Sequence, residues 1–123
     1  VTADGPFAVS RRDDGGALVL QVSGAVDTIT APSLATQLDI ALTCAPAVLI
    51  VDLTGVDFLS SAGMNLLVET HHLTARTNTT LRVAADGPAT SRPMRSIGVD
   101  QVVELYASLT EAISGRRCDR LAD

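Results

Sequence analysis

Two adjacent serines, Ser60 and Ser61, stand between the apolar pair Phe58-Leu59 and the small residues Ala62-Gly63. A β-prone apolar run precedes them and a helix-patterned segment follows, so the pair falls at a helix N-terminus. Ser is a favoured N-cap, and capping alone accounts for a serine there. The same position also tolerates a phosphate. Unpaired backbone N–H groups and the positive end of the helix dipole accommodate an anion without unfolding the domain. A phosphate adds a charge of about −1.5 to −2 and alters the surface offered to a partner while leaving the fold in place. An acidic or apolar partner surface then rejects the modified form, which is the chemistry of a switch.

Other chemistries find less support. His71 and His72 are adjacent in a helical segment and point about 100° apart. Metal-binding helices place their ligands at i and i+4, so the pair is read as solvated or half-buried, with no metal. Asp52 closes a strand and Asp57 follows in a connection, neither with an acid–base partner nearby in sequence, and both are read as structural. A hydrolase built on Ser61 would need a G-x-S-x-G elbow, but Leu59 occupies the place of its first glycine. There is no Gly-rich dinucleotide fingerprint. The chain contains no lysine, which removes the phosphate-binding loop, the Schiff-base lysine and the kinase lysine together. The expectation is a protein without catalysis or cofactor of its own.

Composition narrows the partners. The net charge is −5 and every basic residue is an arginine, with no basic stripe, so neither nucleic acid nor an anionic membrane surface is expected as a partner. Aromatics are confined to Phe7, Phe58 and Tyr106, too few for stacking platforms. No apolar run approaches the roughly 18 residues needed to cross a bilayer. The opening Val1-Thr2-Ala3-Asp4-Gly5 lacks the features of a secretory signal, so a cytoplasmic location is expected. Cys44 and Cys118 form no C-x-x-C and no metal spacing, and in a reducing cytosol both are free thiols. Arg116, Arg117 and Arg120 around Cys118 would lower its thiol pKa.

The elements that must position the serines follow from periodicity and breakers. Phe7–Arg12 and Ala17–Ser23 are β-prone runs around Asp13-Asp14-Gly15-Gly16, which predicts a hairpin. Leu34, Leu38 and Leu42 make an i, i+4, i+8 stripe in a helix from Ala31 to Cys44, with Thr30 as N-cap and Pro32 in the first turn. Val48–Leu53 is a buried strand closed by a Thr54-Gly55 turn, and Val56–Leu59 is a short connection to the serines. A helix over Ala62–Arg76 and a strand over Thr79–Ala84 come next. Ala89–Ile97 is a third helix ending at Gly98, a C′ glycine. Val102-Val103 marks a short strand, and Ser108-Leu109-Thr110-Glu111 is a capping box opening the last helix. The order β-β-α-β-α-β-α-β-α predicts an α/β fold: a mixed, mostly parallel sheet of four to five strands flanked by about four helices. A wholly parallel sheet is the alternative that the opening hairpin disfavours. Residues 1–123 are read as one domain with its core in 6–114, and 116–123 as a charged, frayed tail.

Val48 to Leu67, Val-Leu-Ile-Val-Asp-Leu-Thr-Gly-Val-Asp-Phe-Leu-Ser-Ser-Ala-Gly-Met-Asn-Leu-Leu, resembles the core motif of the STAS domain family, specifically the bacterial anti-sigma factor antagonists. Gly24-Ala25-Val26-Asp27 is similar to that family's Gly-Glu-Leu-Asp, and Arg92 to Ile113 is similar to its C-terminal half. The likeness runs from Phe7 to Ser114. It implies a partner anti-sigma factor of the histidine-kinase-like ATPase class, bound by the unphosphorylated protein so that a sigma factor is released. It also implies a serine phosphatase that resets the switch. By position the resemblance makes Ser61 the phosphoacceptor, with Ser60 replacing the usual Asp and standing as an alternative acceptor. Asp27, Ser60, Ser61, Ala62, Gly63 and Met64 are the implied partner-binding residues, Gly63 keeping the backbone close to the partner. The alternatives in the same fold are a stressosome-type scaffold subunit and the STAS domain of an anion transporter, neither regulated by phosphorylation.

Overall fold

A computed structural model of the chain describes residues 7–115. The expected tail, with Cys118 and its arginines, and the first six residues lie outside the described residues. Five strands lie in the order β1–β2–β3–β4–β5: β1 (Ala8–Asp14), β2 (Ala17–Val26), β3 (Val48–Leu59), β4 (Thr80–Ala84) and β5 (Glu104–Tyr106). Only β1 runs antiparallel; β2 through β5 are parallel neighbours. The sheet is therefore mixed, and the wholly parallel alternative is excluded. The hairpin closes through Gly15 and Gly16, whose φ angles of +59° and +91° suit a two-residue loop that matches strand twist.

Each parallel pair is joined by a helix: α1 (Ala31–Thr43), α2 (Ser61–Thr74) and α3 (Ser91–Ser96). These three cover one face of the sheet. Leu34 and Leu38 of α1, Met64 and Leu67 of α2 and Met94 of α3 pack on Leu18, Leu20, Leu49, Val51 and Val83. Among the described residues the opposite face carries only α4 (Leu109–Ser114), whose Ala112 joins Val19, Ile50 and Ala84. The side-chain period of two sends alternate strand residues to these two cores, which is why β2 and β3 read as continuous apolar runs.

Several boundaries differ from the sequence reading; β1 and β2 run on to Asp14 and Val26, and α2 spans Ser61–Thr74 rather than Ala62–Arg76. Strand β3 does not stop at Leu53; it runs on through Val56–Leu59 and stays paired with β2 as far as Val26↔Leu59. The Thr54-Gly55 pair forms an irregularity in the ladder, not a turn. Asp52 Oδ1 accepts from Thr54 N at 3.0 Å and Thr54 Oγ1 at 2.6 Å, and a Cβ on Gly55 would lie 3.3 Å from the Val22 carbonyl oxygen. Strand β5 is Glu104–Tyr106 rather than Val102-Val103, because a 3₁₀ turn at Val99–Gln101 uses Val99 and Val103 as core residues. Helix α3 begins at Ser91, two residues later than expected, while Gly98 ends it with φ +84°.

Helix α4 is tied to the sheet by Arg82 of β4. Its Nη1 donates to the carbonyl of Ala112 at 2.9 Å, a cation at a helix C-terminus, and its Nε lies 3.6 Å from Glu104 Oε1. At the other end Ser108 Oγ accepts from Glu111 N at 3.1 Å, whereas Glu111 Oε1 reaches the N–H of Ala107, one residue outside the expected capping box. The Arg82→Met variant keeps the apolar stem and removes the guanidinium. It is expected to lower stability by about 1.5–3 kcal/mol, read as a shift in urea midpoint with an unchanged m-value.

Candidate functional site

The serines are positioned by the ends of two parallel strands. Ser60 N donates to the carbonyl of Val26 at 2.8 Å, so the chain leaves β3 beside the last residue of β2. Asp27 and Ser60, each one residue past the paired strand ends Val26 and Leu59, therefore leave the sheet together, with Ser61 the next residue along. Ser60 has extended backbone (φ −82°, ψ 171°) and is the N-cap of α2. Its Oγ accepts from Gly63 N at 3.4 Å, the long end of the hydrogen-bond range, and its carbonyl accepts from Met64 N at 3.1 Å.

Ser61 is thus the first residue of the helix, and it is exposed. Its hydroxyl has no hydrogen-bond partner among the described residues. Its N–H and that of Ala62 belong to the first turn, whose donors have no intrahelical acceptor. Ser60 and Ala62 are half-buried. Gly63 and Met64, implied as partner-binding residues, are buried. The need for glycine at 63 is internal: a Cβ there would lie 2.7 Å from both Leu59 Cδ1 and Val26 Cγ1. Met64 belongs to the main core.

Asp27 organises the neighbouring turn. Its Oδ1 accepts from Thr30 N and Ile29 N, both at 2.9 Å. Thr30 is the N-cap residue of α1, as the sequence predicts, but its side chain makes no capping hydrogen bond. Thr30 Oγ1 instead accepts from Asp27 N at 2.9 Å and donates to the carbonyl of Ala25 at 2.8 Å. The Thr30 N–H, followed by the Ile29 N–H and the Thr30 hydroxyl, holds the Asp27 carboxyl below the usual carboxylate range.

Residues that sequence reasoning passed over complete the site. Ile29 projects from the Asp27–Thr30 turn, 83% exposed. Thr28 and Ala62 share a shallow trough of about 320 Å³ between α1 and α2, whose walls combine apolar Pro32 and Leu66 with polar Asn65 and Glu69. The signal for Ile29 is a lone isoleucine in Asp27-Thr28-Ile29-Thr30 that joins no apolar stripe. The His71 and His72 rings lie 5.6 Å apart in an edge-on contact near the other end of α2. Among the described residues no group of three or more His, Cys, Asp or Glu side chains could hold a metal, and no helix is long and apolar enough to cross a membrane.

A mixed five-stranded sheet thus presents a serine-headed helix N-terminus close to an Asp-anchored turn at the ends of two parallel strands. The chain belongs to the STAS domain family, whose model matches residues 8–112. Among similar proteins, the anti-sigma-F factor antagonist RsfB of Mycobacterium tuberculosis is 31% identical over 121 residues, 98% of each chain. The crystal structure of an anti-sigma factor antagonist from Mycobacterium paratuberculosis superposes with a TM-score of 0.81 at 32% identity, covering 93% of this chain and 96% of that one. SpoIIAA in its unphosphorylated form gives a TM-score of 0.68 at 16% identity, covering 89% and 96%, which shows the shared fold. The Bacillus SpoIIAA in its phosphorylated form gives 0.59 at the same identity, covering 89% and 98%.

Two outcomes test this geometry. Gly63→Ala is expected to destabilise the protein, since overpacking of about 1–3 kcal/mol exceeds the roughly 1 kcal/mol by which Ala favours a helix over Gly; thermal unfolding would show it. Because the Asp27 carboxyl is held low in the folded state, its contribution to stability is complete above the ordinary Asp range. It is lost as pH falls through the lowered folded value. An NMR titration of Asp27 should give a midpoint below that of an unfolded-chain Asp, and Asp27→Ala should flatten the acid limb of the stability curve.

Proposed function

We propose that this chain is an anti-sigma factor antagonist controlled by phosphorylation of Ser61. In its unphosphorylated form it binds an anti-sigma factor of the histidine-kinase-like ATPase class in the cytoplasm, and that partner releases its sigma factor. Phosphorylation at Ser61 by the same partner ends the binding, and a serine phosphatase restores it. The observation that carries this reading is the contrast between the two serines. Ser61 presents an exposed hydroxyl at the first position of α2, whereas the half-buried Ser60 hydroxyl caps that helix through Gly63 N.

The same contrast favours Ser61 over Ser60 as acceptor. Esterifying Ser60 would disturb a cap of the kind worth about 0.5–2 kcal/mol, whereas a phosphate on Ser61 can be met by first-turn N–H groups and the helix dipole. Ser60 stands where Asp is usual in the resemblance, and both residue types are preferred N-caps, so the substitution keeps the cap while removing a charge beside the acceptor. Similarity to RsfB across nearly the whole chain, and to the mycobacterial antagonist at a TM-score of 0.81, supports the same reading. Asp27, Ala62 and the turn at residues 27–30 form the partner surface around Ser61, with Gly63 and Met64 supporting it from beneath.

The test is incubation with anti-sigma factors of the ATPase class and ATP, followed by mass-spectrometric mapping. One phosphate on Ser61 is expected, and none on Ser61→Ala. In capture assays Ser61→Ala should retain the anti-sigma factor, while Ser61→Glu should bind at least tenfold more weakly. Equal binding by the two variants, or modification confined to Ser60, would overturn the assignment.

A further inference from the structure

We propose that the part of the sheet left open beside α4 is a binding site for the primary ammonium group of a small alkylamine, with the Asp52 carboxylate as its counter-charge. The site is separate from Ser61 and stands independently of the switch.

The side-chain period of two puts Gln21 on the same face as Val19, and Asp52 on the same face as Ile50. Strand pairing sets Ser10 opposite Gln21, and Gln21 beside Asp52. The apolar part of this face packs against Ala112 of α4, but no residue of α4 lines the polar part. There Ser10, Gln21, Ser23, Asp52 and Thr54 line a trough of about 340 Å³, and the rest of its lining is aliphatic or glycine. That volume falls at the small end of the range for small-molecule sites.

Asp52 is the unusual member, because it is only 5% exposed. A carboxylate withdrawn from water to that degree is costly unless its oxygens are answered. Oδ1 accepts from Thr54 N at 3.0 Å and from Thr54 Oγ1 at 2.6 Å, whereas Oδ2 receives no hydrogen bond among the described residues. Nor is Oδ2 sealed in: the one fully enclosed side-chain polar atom without a hydrogen bond among the described residues is Arg82 Nε. The free oxygen therefore opens on the trough that Asp52 lines. The neighbouring cations are engaged elsewhere. Arg12 is paired with Asp14 at 3.3 Å, Arg82 with the Ala112 carbonyl and Glu104, and Arg11 donates to Cys44 Sγ at 3.2 Å. None of the three lines the trough.

One free carboxylate oxygen sets the ligand chemistry. A guanidinium forks onto both oxygens of a carboxylate, and here Oδ1 already accepts twice. A primary ammonium is a compact charge with three rotatable donors. One N–H meets Oδ2, and the hydroxyls of Ser10, Ser23 and Thr54 and the Gln21 amide offer acceptors for the others. A divalent metal would need several hard oxygen ligands, and Asp52 is the single acidic residue in the lining. A second copy of this chain has no lysine to insert. A free amine whose short alkyl chain lies on the aliphatic lining is the occupant that fits.

The experiment titrates n-butylamine into isotope-labelled protein at neutral pH and follows the amide resonances. Saturable shifts at Ser10, Gln21, Ser23 and Thr54 are expected, with n-butylguanidine bound roughly fivefold more weakly and n-butanol silent. Asp52→Asn keeps an oxygen for Thr54 but loses the charge, and should bind roughly tenfold more weakly. Ser23→Leu fills the trough from an exposed position, and should block it even if the Asp52 variant folds poorly. Shifts that never saturate, or that fall equally on the exposed Asp13 and Asp57, would overturn the site in favour of general attraction to an acidic chain. Parent-like binding by Asp52→Asn or by Ser23→Leu would overturn it as well. An acetyl-lysine methylamide bound roughly tenfold more tightly than n-butylamine would overturn the free amine as occupant and point to a lysine of a partner protein.

Discussion

A Cβ at position 63 would lie 2.7 Å from both Leu59 Cδ1 and Val26 Cγ1, so the first turn of α2 sits directly on the ends of β2 and β3. That close approach, together with the 2.8 Å bond from Ser60 N to the Val26 carbonyl, sets where the helix begins. The rest of the site depends on it. Ser60 becomes the cap, Ser61 the first exposed helical residue, and Asp27 is brought alongside at the end of the neighbouring strand. A bulkier residue at 63 would lift the helix start away from the sheet and separate the serine from the turn beside it.

The distribution of helices over the sheet reinforces this arrangement. Because β2 to β5 are parallel neighbours in sequence order, the connecting helices α1, α2 and α3 share one face, and α4 packs on the other. Helices α1 and α2 both start from the carboxyl ends of adjacent strands. Their first turns, the Asp27–Thr30 turn and the Ser60-Ser61 pair thus collect at one end of the domain, where loops are available for function and the strands beneath are fixed by the core. The site is a surface with a shallow trough and not an enclosed cavity, in keeping with a family that binds and does not catalyse.

The two serines divide the work that an Asp-Ser pair would share in the usual motif. An N-cap needs an acceptor oxygen, which either a carboxylate or a hydroxyl can supply, so Ser60 is a conservative choice for α2. It is less conservative for electrostatics. With no carboxylate at 60, the acidic groups of the site are Asp27, whose Oδ1 is committed to the Ile29 and Thr30 N–H groups, and Glu69, which lines the trough beside Ala62.

Much of this was legible in the amino-acid sequence. The Leu34–Leu38–Leu42 stripe, the apolar strands, the Gly15-Gly16 turn, the Gly98 stop and the serine at a helix start are local patterns, and local patterns survive into the fold because they reflect backbone geometry and side-chain period. What stayed hidden depends on contacts between distant segments. The extension of β3 through Val56–Leu59 comes from pairing with β2, which outweighs a Thr-Gly pair that reads locally as a turn. Asp27 as the anchor of the Ile29 turn comes from the fold of residues 25–30 back on the strand end, and the glycine at 63 from side chains four and thirty-seven positions away. The sequence by itself determined that a helix starts at the serines. Only the tertiary structure decided which serine is spent on the cap and which is left exposed, because those outcomes rest on packing across strands that sequence neighbours do not share.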